Sequence, residues 1–192
     1  MKASGARVLL AVVLAGSIAS CSGEDDVQSR RAFLALTAAL QAHQEGRLGE
    51  AVELYEEVLT LEPRNKFAWY NLGLIDQTRG ESARAEERYR EAISVDPDFV
   101  AALFNLAVLR TADGDDDEAI ELYRQIIEIQ PGYAPAHLNL GFALIDIGEG
   151  REGRAELETA TELDPSLASR IPDEEAAEVA TPTGQAETTT SP

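Results

Sequence analysis

Between residues 32 and 167 the apolar positions follow a helical pattern that repeats. Trp69, Leu72, Gly73 and Asp76 stand at i, i+3, i+4 and i+7, so they share one face of a helix. Ala85, Tyr89, Ala92 and Ile93 form the stripe of a second helix. Gly80 lies between the two, where a left-handed residue closes the first helix cheaply only if it is glycine. Pro97 keeps the second helix from running on. The same markers recur at a step of 34 residues: Gly46, Gly80, Gly114 and Gly148, then Ala51, Ala85 and Ala119. Tyr55, Tyr89 and Tyr123 keep the step, and so do Pro63, Pro97, Pro131 and Pro165. The pattern predicts four antiparallel helix pairs over 32–65, 66–99, 100–133 and 134–167. The fold is then all-α, and each pair needs the next to cover its apolar surface.

The ends of this array depart from the middle. Repeat 1 has Ala35, Ala38 and Ala39 where repeat 2 has Trp69, Leu72 and Gly73. Repeat 4 has His137 for the Trp, Gly153 for the Ala and Leu157 for the aromatic. Terminal repeats are commonly atypical and need a cover. Ser166 to Ala180 offers a weak one, with only Leu167, Ile171 and Val179 as large apolar residues and Pro172 interrupting. Repeat 4 is therefore expected to fray, or to dock its open face on a second copy or a partner. Residues 168–192 read as an acidic Thr/Pro-rich tail, partly or wholly disordered.

The N-terminus has a different character. Lys2 and Arg7 precede an apolar run from Val8 to Ala15, and small residues follow. This is the layout of an export signal over residues 1–20, too short to span a bilayer as a helix. Ile18-Ala19-Ser20-Cys21 resembles the lipobox of bacterial lipoproteins. The resemblance implies that Cys21 becomes the mature N-terminus and carries acyl chains, which together give stable anchoring. Ser22 rather than Asp after the Cys resembles the sequences sorted to the outer membrane in enterobacteria. Residues 21–31 then serve as the lipidated start and a polar, flexible tether.

Charge narrows the partners. The chain has 192 residues with Lys+Arg 16 against Asp+Glu 35, a net charge of −19 and a pI of about 4.3. Such a field repels nucleic acid and favours basic partners. Cys21 is the sole cysteine, and His43 and His137 are the only histidines, so neither an intramolecular disulfide nor a usual zinc or haem set is available. No cofactor is expected, and no catalytic constellation points to an enzyme. Asp113 to Glu118 resembles a calcium loop only superficially, because Arg124 stands where the bidentate Glu belongs. The run reads better as a helix N-terminus. His43 reads as a solvated side chain.

The period and its markers identify the array as a member of the tetratricopeptide-repeat family, whose signature is Trp-x2-Leu-Gly-x2-Tyr, then Ala-x3-Phe, then Pro. Trp69, Leu72, Gly73, Ala85, Tyr89 and Pro97 match it, with Asp76 in place of Tyr and Tyr in place of Phe. The resemblance implies a right-handed superhelical solenoid whose first helices line a concave surface. It places Asn71, Asn105 and Asn139 on that surface, a column of amides suited to an extended peptide backbone. Thr37 holds the matching place in repeat 1. Phe67, Tyr70, Leu74, Phe104, Val108, Leu138 and Phe142 occupy inward positions beside the column. No Lys or Arg does, which argues against a ligand ending in an acidic motif. The expected function is an envelope adaptor, anchored by lipid and facing the periplasm, that binds a protein segment. The alternative is a self-associating structural lipoprotein whose groove binds no specific peptide.

Overall fold

The computed structural model describes residues 26–172, and these are helical apart from short connections. The export signal, the lipobox with Cys21 and the tail from residue 173 lie outside the described residues. Helix α1 is described over 26–44. It is followed by α2 (Leu48–Leu61), α3 (Lys66–Thr78), α4 (Ser82–Val95), α5 (Val100–Asp113), α6 (Asp116–Ile129), α7 (Ala134–Asp146) and α8 (Gly150–Leu163). A short 3-10 helix, Pro165–Arg170, follows. Helices α3, α5 and α7 start on the first residue of their predicted repeats. Among the described residues no helix is long and apolar enough to cross a membrane.

The chain forms two compact units that meet in sequence at Val95 and Asp96. The first is built from α1 to α4. Its core joins Ala35, Ala39 and Ala42 of α1 to Ala51, Tyr55 and Val58 of α2 and to Ala68, Leu72 and Ile75 of α3. Ala85, Tyr89 and Ala92 are the buried stripe of α4. A methyl group on Gly73 would stand 2.6 Å from the Tyr89 ring, so the glycine is what lets α4 lie so close to α3. Gly46, Gly80, Gly114 and Gly148 all have positive φ, between 75° and 90°, and close the first helix of each pair as expected.

Residues 26–31, expected as tether, belong to α1. Arg31 ties this turn to the next helix by donating Nε and Nη2 to Glu57 Oε1, at 2.8 and 2.6 Å. Ala32 is buried just beyond it. A helical turn that can bury one face and reach a partner outcompetes a free tether.

In the second unit α7 and α8 pack most intimately. A methyl on Gly153 would lie 2.5 Å from the Gly141 carbonyl oxygen, and one on Gly141 would lie 2.8 Å from that of Gly153. Gly153 therefore replaces the repeat's Ala because this crossing has no room for one. The cover over repeat 4 is better than its composition promised. Leu167 and Ile171 are buried with Ala134, Leu138, Leu157 and Ala160, and Phe142 and Ile145 pack against them. Leu167 on the tight 3-10 turn and Ile171 just after it close the face. The Asp164 side chain caps that turn by accepting from the Ser166 backbone N–H.

Candidate functional site

Each of the first three repeats sets its second helix against its first through a tyrosine hydroxyl. Tyr89 donates to Gln77 Oε1 at 2.7 Å. Tyr55 stands 3.4 Å from His43 Nδ1, and Tyr123 stands 3.4 Å from Thr111 Oγ1. All three pairs are 12 residues apart. His43 is thus half-buried against Tyr55, ring edge to face at 6.2 Å, and not freely solvated. Burial pushes the Tyr55 hydroxyl up to about 12 and raises Tyr89 as well. Tyr123 is raised by burial, partly offset by hydrogen bonds from Thr111 and Asn139.

A second relationship also repeats. The Pro63 carbonyl accepts from Trp69 Nε1 at 2.9 Å. The Pro131 carbonyl accepts from His137 Nε2, also at 2.9 Å. His137 fills the tryptophan's role, and its Nδ1 faces Glu156 Oε2 at 2.6 Å. In repeat 3 the signature Trp is absent, and Gln125 Nε2 reaches the Pro97 carbonyl from α6 at 3.1 Å.

Asp76, which stands for the signature Tyr, is an exception to good pairing. It is buried, its Oδ2 has no hydrogen-bond partner, and Arg88 Nε is 3.8 Å away. Arg88 itself lies over the Trp69 ring. Desolvation raises the Asp76 carboxyl above the ordinary range, although Arg84, Arg88 and Arg79 pull it down.

The second unit holds a concavity of about 630 Å³ lined by α5, α6, α7 and the 3-10 helix. Phe104, Val108, Asn139 and Phe142, four of the residues expected at inward positions, line it. The Phe104 ring meets Tyr123 at 6.1 Å and Tyr133 at 5.4 Å, both in T-shaped geometry, and the three form an aromatic wall. Thr111, Ala112, Tyr123, Tyr133, Pro135 and Arg170 complete the lining. Arg170 corrects the expectation of a groove without cations. It comes from the terminal turn, outside the repeat register, so counting inward positions within the repeats could not find it. Leu138 is also corrected: it is fully buried under Leu167 and Ile171 and does not face the groove. The cover that closes repeat 4 takes this residue as its seat.

The first unit presents its own predicted residues. Phe67 is half exposed with the Lys66 ammonium 5.1 Å above its ring, and Tyr70 packs on Tyr89 at 5.9 Å. Leu74 is half-buried. Phe33, 67 % exposed, and Leu40 hold the same register in α1 as Phe67 and Leu74 in α3. The alanine-rich signature of repeat 1 hid them, although the 34-residue step points to both. The asparagine column is partly engaged within the chain. Asn71 donates to the Phe67 carbonyl of its own helix at 2.7 Å, and Asn139 is hydrogen-bonded to Tyr123. Asn105 is half-buried and has an interaction of its own.

Asp116, Asp117 and Glu118 form the first turn of α6, the helix N-terminus expected of that acidic run.

Comparison with known proteins agrees with the helical-repeat fold. A family model described as the cilia and flagella-associated protein 70 middle TPR-like domain matches residues 34–121. A second, described as a tetratricopeptide repeat, matches residues 110–171. The chain is a member of the tetratricopeptide-repeat family. No curated protein sequence matches it. Among solved structures, one titled crystal structure of MamA is similar at 21 % identity and TM-score 0.65, covering 88 % of this chain and 99 % of its own. MamA residues 41 to the end from Desulfovibrio magneticus RS-1 are similar at 17 % identity and TM-score 0.67, covering 78 % and 93 %. These likenesses establish the fold, an all-helical repeat, and the tetratricopeptide family match points to a scaffold for protein interaction.

Proposed function

We propose that this chain is a membrane-anchored adaptor of the bacterial cell envelope that holds an extended segment of another protein in the concavity of its second unit. The observation that carries the reading is the convergence there of Phe104, Tyr133 and Phe142 with Asn139 and Arg170. An aromatic wall takes apolar side chains of the segment, and an amide and a guanidinium at the edge take its carbonyl or carboxylate groups. Anchoring rests on the lipobox at Ile18 to Cys21, which would keep the adaptor at the membrane, facing the periplasm. Self-association through an open end of repeat 4 has less to recommend it, because Leu167 and Ile171 cover that face.

The test is site-specific photocrosslinking in the source cells. A benzophenone side chain at Ala112, exposed on the concavity, is compared with one at Glu121, exposed on α6. A defined adduct from position 112 that is absent from position 121 and is lost with Arg170→Glu supports the reading. Identical adducts from both positions, or none from position 112, refute it.

A further inference from the structure

The free end of the first unit carries a feature that peptide binding does not use. Position 34 of the chain corresponds, at the 34-residue step, to Ala68, Ala102 and Ala136, each 0 % exposed. Among the described residues no repeat packs on the outer side of repeat 1, so the matching residue is uncovered, and it is Leu34, 61 % exposed. The neighbouring positions on this end face are trimmed: Ala38 stands where Leu72, Leu106 and Leu140 are buried, and Gln41 where Ile75 is. Only here does the end face grow more apolar. Two turns earlier on the same stripe, at i−7, Val27 is 67 % exposed, with the exposed Arg30 between them.

The charge of α1 is equally unusual. Asp26 opens it, after Glu24 and Asp25, but from Val27 to Gln44 it has Arg30 and Arg31 and no Asp or Glu, in a chain with 35 acidic residues. Val27 and Leu34 expose roughly 200 Å², and Phe33 and Leu40 bring the exposed apolar area of α1 to roughly 400 Å², about half of the ~800 Å² per partner that a stable dimer buries. The stripe is too narrow for a second copy and well suited to shallow contact with lipid. Five residues, Ser22 to Asp26, separate Val27 from Cys21, and the six steps between them span at most about 20 Å. A lipidated Cys21 therefore holds Val27 within reach of the headgroups.

We propose that the Val27–Arg30–Leu34 stripe of α1 is a membrane-seating face. It lies on the bilayer beside the lipid anchor, with Val27 and Leu34 among the upper acyl carbons and Arg30 at the phosphates. The proposal rests on the anchor reading above and gives the anchor a direction.

The test uses the full chain, produced with its own signal in a bacterial host and reconstituted in phosphatidylethanolamine/phosphatidylglycerol vesicles with brominated acyl chains. Leu34→Trp and Glu121→Trp are compared after subtraction of Trp69, the single native tryptophan, with helicity checked by circular dichroism. Mass spectrometry of the N-terminal peptide reads the lipid on Cys21. The expected result is quenching of Leu34→Trp about threefold stronger than that of Glu121→Trp, with emission shifted to the blue. Equal quenching on protein whose Cys21 is acylated overturns the seating face and leaves the anchor standing. A bare Cys21 overturns the anchor and the seating face with it. Blue-shifted emission of Leu34→Trp that is not quenched marks contact with a second copy and also overturns the proposal.

Discussion

The side chain of Asn139 is hydrogen-bonded to the hydroxyl of Tyr123, which joins the groove-facing surface of α7 to the core of α6. An asparagine in this place has two roles at once, since its amide has donors enough for the tyrosine and for a visitor. Asn139→Ala should therefore lower stability by about 1 kcal/mol before any ligand is added. Urea unfolding followed by circular dichroism measures this, and an unchanged midpoint would mean that the bond carries no weight.

The α7–α8 crossing gives the sharpest packing prediction. Gly153→Ala drives a methyl onto the Gly141 carbonyl, backbone that cannot rotate aside, and should cost about 1–3 kcal/mol. Gly132→Ala, whose methyl would meet nothing within 4 Å, should leave the thermal midpoint nearly unchanged. A midpoint for Gly153→Ala equal to that of Gly132→Ala would show that the helices have room to part.

The cover of repeat 4 predicts a local effect. Leu167→Ala removes a buried side chain from a cluster that includes Leu138, Leu157 and Ile171. The expected loss is about 2–3 kcal/mol, with faster amide exchange in α7 and α8. Exchange in α2 and α3, in the other unit, should stay as it was. Uniformly faster exchange along the whole chain would contradict this division.

Asp76 makes stability depend on pH. Its folded carboxyl titrates above the unfolded value, so its protonated form is favoured by folding. Its contribution is fully present below the unfolded value and is lost as pH rises through the folded one. Asp76→Asn keeps a neutral group throughout. The variant and the parent should melt together near pH 3.5, and the variant should melt several degrees higher at pH 7. A gap that shrinks as pH rises would mean that the arginine partners outweigh burial.

The helix pairs were legible because their markers act locally. Gly80 closes a helix whatever surrounds it, and Gly73 admits a tyrosine whose place is fixed by the same short step. The groove was half legible. Phe104, Val108, Asn139 and Phe142 could be read from register alone, whereas Arg170 and the burial of Leu138 depend on how a non-repeating turn folds back. The extra turn of α1 was hidden for a similar reason, since the Arg31–Glu57 pair joins residues 26 apart that no periodicity links.

The three proline carbonyls show what the repeat specifies. Pro63, Pro97 and Pro131 each receive an N–H, from an indole, an amide and an imidazole in turn, and one of the donors comes from a different helix. What is inherited from one unit of the array to the next is an unfilled request at a fixed point in space, and any residue able to answer it will serve. A protein written in requests can exchange most of its letters without losing its shape. That is how a chain can share only about a fifth of its residues with MamA and still be superimposed on it along most of its length.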